Sequence, residues 1–183
     1  GNADITKPKV ETMPTNPISL YGSYKLLGEN ICRNFYALYG LETVALRYFN
    51  VFGPYQNPHS EYAAVIPTFI HLMLQGKTPT IYGDGTQTRD FTFVANNVQA
   101  NICACLATKE ICGEAINIAC GTGYALNEIV KFLNDILNTN ITPAYTQERE
   151  GDIKHSKADI SKAKKLLNYD VTTNIKECLQ RTV

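Results

Sequence analysis

The sequence predicts an α/β fold, in which helices and strands alternate along the chain. Helical segments are indicated by apolar residues that recur every three or four positions, and strands by short runs of β-branched and aromatic residues between glycines and prolines. The 183 residues are 44% hydrophobic and 19% charged, which is an ordinary composition for a globular protein. This length is enough for one large domain or two small ones.

The first helix is predicted to begin after the N-cap Ser19 and to end at Tyr39, because Gly40 follows. Residues 1–18 contain three prolines and no apolar period, so we expect a loop or an extended arm there. Apolar side chains line one face of the helix at Leu20, Tyr24, Leu27, Ile31, Phe35 and Leu38. Such a stripe is either core or a contact with another subunit.

The remaining elements follow from the same two patterns. We expect strands at 43–49, 79–82, 91–94, 115–119 and 141–145. We expect helices at 65–74, at 96 or 97 to 107, at 127–138, and at about 159–168 and 174–181. Pro67 is tolerated in the first turn of its helix, and Asn96 or Asn97 can cap the next one. Residues 54–62 are a polar loop.

Charge and cysteine content exclude several classes of protein. The charges of the 17 basic and 17 acidic residues cancel, so the chain has no net positive charge to attract nucleic acid or an anionic membrane. No apolar run approaches the roughly 18 residues of a membrane span, and the polar start does not resemble a signal peptide. Six cysteines without a CxxC pair, and only three histidines, argue against a metal site. We therefore expect reduced, mostly buried thiols in a cytoplasmic protein.

Tyr21 and Lys25 are four residues apart and should stack on one face of the first helix. A free phenol titrates near pH 10, and an adjacent ammonium group favours the phenolate. A tyrosine in this setting can act as a base or an acid on a sugar hydroxyl near neutral pH. Taken alone, the same spacing is also common on helix surfaces.

Five blocks of sequence give this pair a context. They are residues 17–25 (PxSxYxxxK), 46–54 (LRYFNVFGP), 62–67 (YAAVIP), 83–91 (GDGxxxRDF) and 149–152 (REGD). In order and spacing they resemble the extended short-chain dehydrogenase/reductase family, and in particular its UDP-sugar 4-epimerase branch.

The resemblance implies the C-terminal part of a Rossmann-type domain together with a smaller mixed α/β substrate-binding domain. Residues 1–60 would be the remainder of the NAD-binding domain with its catalytic helix. Residues 61–183 would form mainly the UDP-sugar-binding domain, with some segments returning to the Rossmann sheet. The family's opening glycine-rich unit is absent from the sequence, and Gly121-Thr122-Gly123 is interpreted as a plain strand-to-helix turn. We therefore expect the isolated chain to be inactive.

The resemblance also implies an NAD-dependent reaction through a 4-keto sugar. Tyr21 would take the proton from the 4-hydroxyl of the sugar. Lys25 would lower the pKa of Tyr21 and bind the nicotinamide ribose, and Tyr48 would lie beside the nicotinamide. The first helix would pair with its copy in a homodimer.

The same resemblance assigns a UDP-sugar site. Arg89 and Arg149 would bind the diphosphate, which suits their planar, charged donors. Asp152 would accept a nucleotide hydroxyl, and Asn50 would bind the diphosphate or the sugar. Contacts with uracil and ribose would come from Ala64, Val65, Thr80 and Tyr82.

The choice of sugar would depend on a gate at Ser156. A small residue there leaves space for an N-acetyl group, and Asn50, Gln56 and Ala64 would form the other walls. The resemblance therefore favours UDP-N-acetylglucosamine and UDP-N-acetylgalactosamine, with or without UDP-glucose and UDP-galactose. Two alternatives stay open at this point: a nucleotide-sugar 4,6-dehydratase or decarboxylase, and a non-catalytic module that binds UDP-sugars.

Overall fold

A computed structural model describes residues 7–59, 64–149 and 153–183, and helices alternate with short strands throughout these ranges. The helices are α1 (Leu20–Tyr39), α2 (Val65–Leu74), α3 (Val94–Leu106), α4 (Leu126–Leu137), α5 (Ser161–Leu167) and α6 (Ile175–Thr182). The strands are β1 (Ala45–Tyr48), β2 (Val51–Phe52), β3 (Thr80–Tyr82), β4 (Thr88–Arg89), β5 (Thr92–Phe93), β6 (Ala115–Ile118), β7 (Tyr124–Ala125) and β8 (Ala144–Thr146). A 3-10 turn covers Lys109–Ile111.

The strands pair across long stretches of sequence. Strand β1 runs parallel to β6, with Ala45 opposite Ala115 and Tyr48 opposite Ile118. Parallel pairs also join β2 to β5 and β3 to β8, whereas β4 and β7 are antiparallel. Parallel strands need a crossover, commonly a helix, which accounts for the alternation in the sequence. The mixed α/β prediction is confirmed.

Helix α1 has the ends that the sequence predicts. The Ser19 Oγ accepts a hydrogen bond from the Gly22 N–H at 3.1 Å. Gly40 ends the helix with φ +68°, a left-handed conformation that glycine adopts without steric cost. Helix α2 also has its predicted bounds, with Pro67 in the first turn, where its missing N–H is not needed.

The predicted start of α3 is wrong. The helix begins at Val94, and Asn96 and Asn97 are buried inside it rather than acting as caps. Asn96 Nδ2 donates instead to the Thr173 Oγ1 at 3.1 Å, a partner far away in the sequence. This tertiary hydrogen bond satisfies a side chain that local preference would place at a helix end.

Helix α1 has two opposite faces, and the apolar one is not part of the core. The partly buried residues face the sheet: Glu29 is paired with Arg47 of β1, and the Thr43 Oγ1 donates to the Cys32 carbonyl. The predicted apolar stripe lies on the other side, with exposed fractions from 78% at Leu20 to 45% at Phe35. Among the described residues, therefore, nothing covers this stripe.

All six cysteines are free thiols, but the expectation that most are buried is wrong. Only Cys178 is buried, Cys105 is exposed and the other four are partly buried. Burial raises the pKa of Cys120 to about 11, which keeps this thiol protonated. In the described ranges, no three His, Cys, Asp or Glu side chains gather as a metal site requires, and no helix could span a membrane.

Candidate active site

A cavity of about 290 Å³ lies between β3, α2 and the ends of β2 and β4. Its volume is at the lower end of the range for small-molecule sites. Seven of the ten residues that the sequence assigned to UDP-sugar binding line it: Asn50, Ala64, Val65, Thr80, Tyr82, Arg89 and Arg149. Apolar core residues, among them Phe52 and Phe69, form its floor.

Strand pairing and strand alternation bring these residues together. The Asn50 carbonyl accepts from the Thr92 N–H at 3.1 Å, which fixes Asn50 beside the segment that follows Arg89. On β3, Thr80 and Tyr82 share the exposed face, whereas Ile81 points into the core. The short β2–β5 and β3–β8 pairs therefore set the walls of the cavity.

Arg149 stacks on Tyr82 at one side of the cavity. Its guanidinium carbon lies 3.8 Å from the centroid of the Tyr82 ring, within the range of a cation–π contact. A stacked guanidinium directs its N–H groups along its own plane, where planar anionic oxygens can reach them. The pair thus combines a flat surface with a positive charge.

Arg89, on β4, is held by main-chain acceptors. Its Nη1 donates to the Thr88 carbonyl at 2.9 Å and to the Lys154 carbonyl at 3.4 Å. These two main-chain acceptors fix the orientation of the guanidinium. Two guanidinium groups therefore border one cavity, an arrangement suited to an anion with two phosphates.

Asp90, the residue after Arg89, has a structural role that the sequence analysis did not identify. Its buried carboxylate accepts backbone N–H bonds from Cys120 at 2.9 Å, Gly121 at 3.0 Å and Ala158 at 3.1 Å. Burial raises the pKa of Asp90, and these three bonds act in the opposite direction by stabilising the charged form. The signal in the sequence was an acidic residue next to a run that is otherwise apolar.

Of the three remaining residues of the predicted sugar site, two do not line the cavity. The Ser156 N–H donates to the Thr88 carbonyl at 3.1 Å, so Ser156 lies beside β4, the strand that contains Arg89. Gln56 Nε2 donates back to the Val51 carbonyl at 3.4 Å. Asp152 lies outside the described residues.

The structure keeps Tyr21 and Lys25 together but does not join them to this cavity. The Lys25 Nζ lies 5.3 Å from the centroid of the Tyr21 ring, and Tyr21 is 72% exposed. Lys25 lines a second cavity of about 270 Å³, between α1 and the arm that precedes it. Tyr48 lines a third, of about 380 Å³, where its hydroxyl accepts from Asn101 Nδ2 at 2.6 Å.

A polar network missed by the sequence analysis anchors the arm that leads to Tyr21. Arg47 makes two hydrogen bonds to Glu29 of α1, at 2.7 and 2.8 Å. On the neighbouring strand, the Asn117 N–H donates to the Glu11 Oε1 at 2.8 Å, and its Nδ2 donates to the Lys9 carbonyl at 2.9 Å. The network therefore ties the arm to the sheet just before α1.

The described residues fit one end of NAD. Lys25 and Tyr21 provide an ammonium group and a phenol on one helix turn, and both groups could form hydrogen bonds with the hydroxyls of a ribose. The loop Gly121-Thr122-Gly123 does not suit the pyrophosphate, because the N–H of Gly121 is bonded to Asp90. No other glycine-rich turn between a strand and a helix is found in residues 7–59, 64–149 and 153–183.

The chain belongs to the NAD dependent epimerase/dehydratase family, whose model matches residues 1–119. One relative is the UDP-glucuronate 4-epimerase of Thermodesulfobacterium geofontis, 35% identical over 96% of this chain and 51% of its own length. The chain thus spans about half the length of the curated relatives it matches.

Solved structures show the same relationship. The UDP-N-acetylglucosamine 4-epimerase of Methanobrevibacter ruminantium M1, solved with UDP-N-acetylmuramic acid, is 40% identical with a TM-score of 0.92, over 98% of this chain and 57% of that one. The UDP-glucuronic acid 4-epimerase of Bacillus cereus, solved with UDP-glucuronic acid and NAD, is 34% identical with a TM-score of 0.88, over 98% of this chain and 56% of that one.

Proposed function

We propose that this chain carries the substrate-binding part of an NAD-dependent UDP-hexose 4-epimerase. The observation that carries the proposal is the cavity that contains seven residues assigned to UDP-sugar binding from the sequence alone. The reaction inverts the configuration at C4 of the sugar through a 4-keto intermediate. Membership of a family whose relatives include UDP-sugar 4-epimerases supports the same reaction.

In this proposal Arg89 and Arg149, which both line the cavity, bind the diphosphate. Thr80, Tyr82, Ala64 and Val65 contact the uridine, and Asn50 contacts the diphosphate or the sugar. The cavity thereby fixes the nucleotide end of the substrate and leaves the sugar to be presented to the base.

Tyr21 acts as that base in the proposal: it removes the proton from the sugar's 4-hydroxyl when C4 is oxidised, and it returns the proton to O4 when the 4-keto sugar is reduced on its opposite face. The adjacent Lys25 ammonium, one helix turn away, binds the nicotinamide ribose. Tyr48 lies beside the nicotinamide. When bound, NAD supplies the acceptor and donor of the hydride. Binding, orientation and proton transfer are the tasks of the protein.

Replacing either cavity arginine by alanine is expected to weaken UDP binding by about 1.5–3 kcal/mol, the range for hydrogen bonds to charged groups. Isothermal titration of UDP into the wild-type chain, Arg89→Ala and Arg149→Ala measures this directly. Arg33→Ala is the matched control, because Arg33 is an exposed arginine of α1. Unchanged affinity in both cavity variants would mean that these arginines do not bind the diphosphate.

The same titrations separate an epimerase fragment from a non-catalytic module. A module would bind UDP and ignore NAD, whereas the epimerase in its complete form binds both and interconverts UDP-hexoses. Epimer formation by the isolated chain with NAD and a UDP-sugar would contradict the expectation that it is inactive alone.

We infer that the substrates are UDP-N-acetylglucosamine and UDP-N-acetylgalactosamine, with or without UDP-glucose and UDP-galactose. Ser156 is small, and its backbone is bonded to Thr88, the neighbour of Arg89. Gln56 and Asn50 provide the donors and acceptors that an acetamido group needs. The 40% identity to a UDP-N-acetylglucosamine 4-epimerase favours the same substrates.

Ser156→Tyr is expected to abolish turnover of the N-acetyl sugars and to spare UDP-galactose, because the phenol ring fills the space of the acetamido group. The measurement is the ratio of kcat/KM for the two substrates in the form of the protein that turns over. Ser156→Ala is the control and should keep the wild-type ratio. If the ratio of kcat/KM were the same in Ser156→Tyr and the wild type, Ser156 would not be the residue that selects the sugar.

We also propose that the exposed stripe on α1 pairs with its copy in a homodimer. Six large apolar side chains on the side of the helix that faces away from the sheet form a continuous surface of the kind that marks subunit contacts. Ile31→Asp is expected to shift the sedimentation coefficient from dimer to monomer. Asn30→Asp adds the same charge to an exposed position beside the stripe and should leave the dimer intact. A wild-type monomer at high concentration would contradict the proposal.

A further inference from the structure

Helix α1 carries Tyr21 and Lys25, yet it is not anchored by the hydrophobic core. None of its 20 residues is buried. In the described ranges, no side chain of α1 belongs to either of the two apolar clusters that form the core. Helices of globular proteins are usually held by an apolar face packed on such a core. The position of α1 must therefore depend on other contacts.

The side of α1 that faces the sheet has a carboxylate at its centre. The partly buried residues of the helix are three or four positions apart and form one face: Gly22, Leu26, Glu29, Cys32 and Tyr36. Glu29 is the third of these five and the only charged one. Because a charge is costly to remove from water without a partner, this inner face requires a cation opposite Glu29.

Arg47 of β1 provides that cation through two parallel hydrogen bonds. Its Nε donates to the Glu29 Oε1 at 2.8 Å, and its Nη2 donates to the Glu29 Oε2 at 2.7 Å. The two side chains are only 23% and 16% exposed. The Nη1 of Arg47 also donates to the Glu11 carbonyl at 3.4 Å, in the arm before α1. A two-pronged bond of this kind fixes both the distance and the orientation of α1 relative to β1.

The ion pair lies close to the groups that the proposed function uses. Along the helix axis, Lys25 is about 6 Å and Tyr21 about 12 Å before Glu29. Lys25, Glu29 and Arg47 line the same cavity of about 270 Å³. Since the residues of a helix move together, a shift or rotation at Glu29 would also displace Tyr21. A misplacement of about 1 Å at the reacting groups can lower a rate by about 10²-fold.

We propose that Glu29 and Arg47 are positioning residues, which hold α1 in the orientation that presents Tyr21 and Lys25 to the substrate. The inference rests on the proposed function, because that function gives Tyr21 and Lys25 their roles. Glu29 and Arg47 act through the helix rather than on the substrate. Neither residue lines the cavity assigned to UDP, so their loss should lower kcat and leave the affinity for UDP unchanged.

A native thiol reports the position of α1 in the chain as it exists. Cys32 is on the inner face of the helix, one turn after Glu29, and is partly buried. Its alkylation by N-ethylmaleimide, followed by peptide mass spectrometry, is expected to be several-fold faster in Arg47→Met and Glu29→Gln than in the wild type. Cys178 of α6 is buried and is the internal reference, which should react at the wild-type rate.

Turnover is then measured in a form of the protein that includes an NAD-binding half. Arg47→Met, Glu29→Gln and the double variant should each lower kcat by roughly 10- to 10²-fold, because all three remove the same contact. The two single variants change the charge in opposite directions, so equal losses would identify geometry as the cause. Arg47→Lys keeps the charge without the two-pronged bond and should restore kcat only in part.

Glu114→Gln is the matched control for these variants. It removes a carboxylate that is paired with Lys162 of α5 at 2.7 Å, so it breaks an ion pair of similar length that does not involve α1. The kcat and the alkylation rate of Cys32 should both stay at their wild-type values.

The proposal would be overturned by a wild-type rate of Cys32 alkylation, or by a wild-type kcat, in both single variants. Faster alkylation of Cys178 would also overturn it, because the loss would then be one of general stability. Opposite changes of kcat in Arg47→Met and Glu29→Gln would point to charge instead of position. If Tyr21→Phe turned over normally, the proposed function would fail, whereas the Cys32 rates would still decide whether the pair holds the helix.

Discussion

Tyr21→Phe is expected to lower kcat for UDP-hexose epimerisation by roughly 10²–10⁴-fold, the contribution of a lost acid–base group. The substitution removes the ionisable oxygen and keeps the ring, so the helix and the contact with Lys25 stay in place. The affinity for UDP should be unchanged, because Tyr21 does not line the cavity. The measurement is steady-state turnover, with NAD present, in a form of the protein that includes an NAD-binding half.

Tyr24→Phe is the matched control for this variant. Tyr24 lies on the same helix, is exposed to a similar extent and is three residues further along. Its substitution should leave kcat as it is in the wild type. If Tyr21→Phe turned over normally and Tyr24→Phe did not, the proton would be taken by Tyr24, and Lys25 would have a different partner.

Asp90→Asn is expected to lower the free energy of unfolding by about 2–4 kcal/mol, since an amide cannot accept all three N–H bonds. One of its atoms is itself a donor and would face the N–H of Cys120, Gly121 or Ala158. Urea denaturation of the wild type and the variant measures the difference. Asp135→Asn is the control, because its ion pair with Lys176 is about half exposed on both sides and should contribute less than about 1 kcal/mol.

The same carboxyl group predicts a pH dependence. Burial raises the pKa of Asp90 in the folded state above its ordinary value. Between the ordinary and the raised pKa, the folded protein therefore binds more protons than the unfolded chain, and stability falls as pH rises through this interval. In the Asp90→Asn variant, this pH-dependent contribution to stability should be absent. A variant as stable as the wild type at every pH would mean that the three N–H bonds contribute little.

Local patterns in the sequence predict most of the elements. The bounds of α1 and α2 follow from a serine cap, a glycine stop and a proline in a first turn, all of which act within a few residues. The start of α3 could not be predicted in this way, because the partner of Asn96 is Thr173. A residue that prefers a helix end is tolerated inside the helix once a distant hydroxyl satisfies its amide.

The candidate site likewise has residues that the motifs predict and one property that depends on tertiary contacts. The motifs predict that Arg89, Arg149, Tyr82 and Asn50 bind the substrate, and the structure shows that all four line one cavity beside parallel strand pairs. No motif indicated that the Gln87 Oε1 would be buried without a hydrogen-bond partner among the described residues. That property depends on which carbonyl the amide reaches after folding.

Local sequence patterns are sufficient to predict the alternation of helices and strands, the apolar stripe of α1 and the proximity of Tyr21 to Lys25, because these features depend on residues that are close together in the chain. Two other features depend on contacts between distant parts of the chain: the stripe faces away from the sheet, and Asp90 accepts hydrogen bonds from three amides in two distant segments. Side-chain spacing defines the faces of a helix, but which face is buried depends on the strands that pack beside it. The face of α1 that lies against the sheet and the hydrogen bonds of Asp90 both depend on long-range strand pairing. This pairing brings together residues that are far apart in the sequence, and no local pattern predicts their contact.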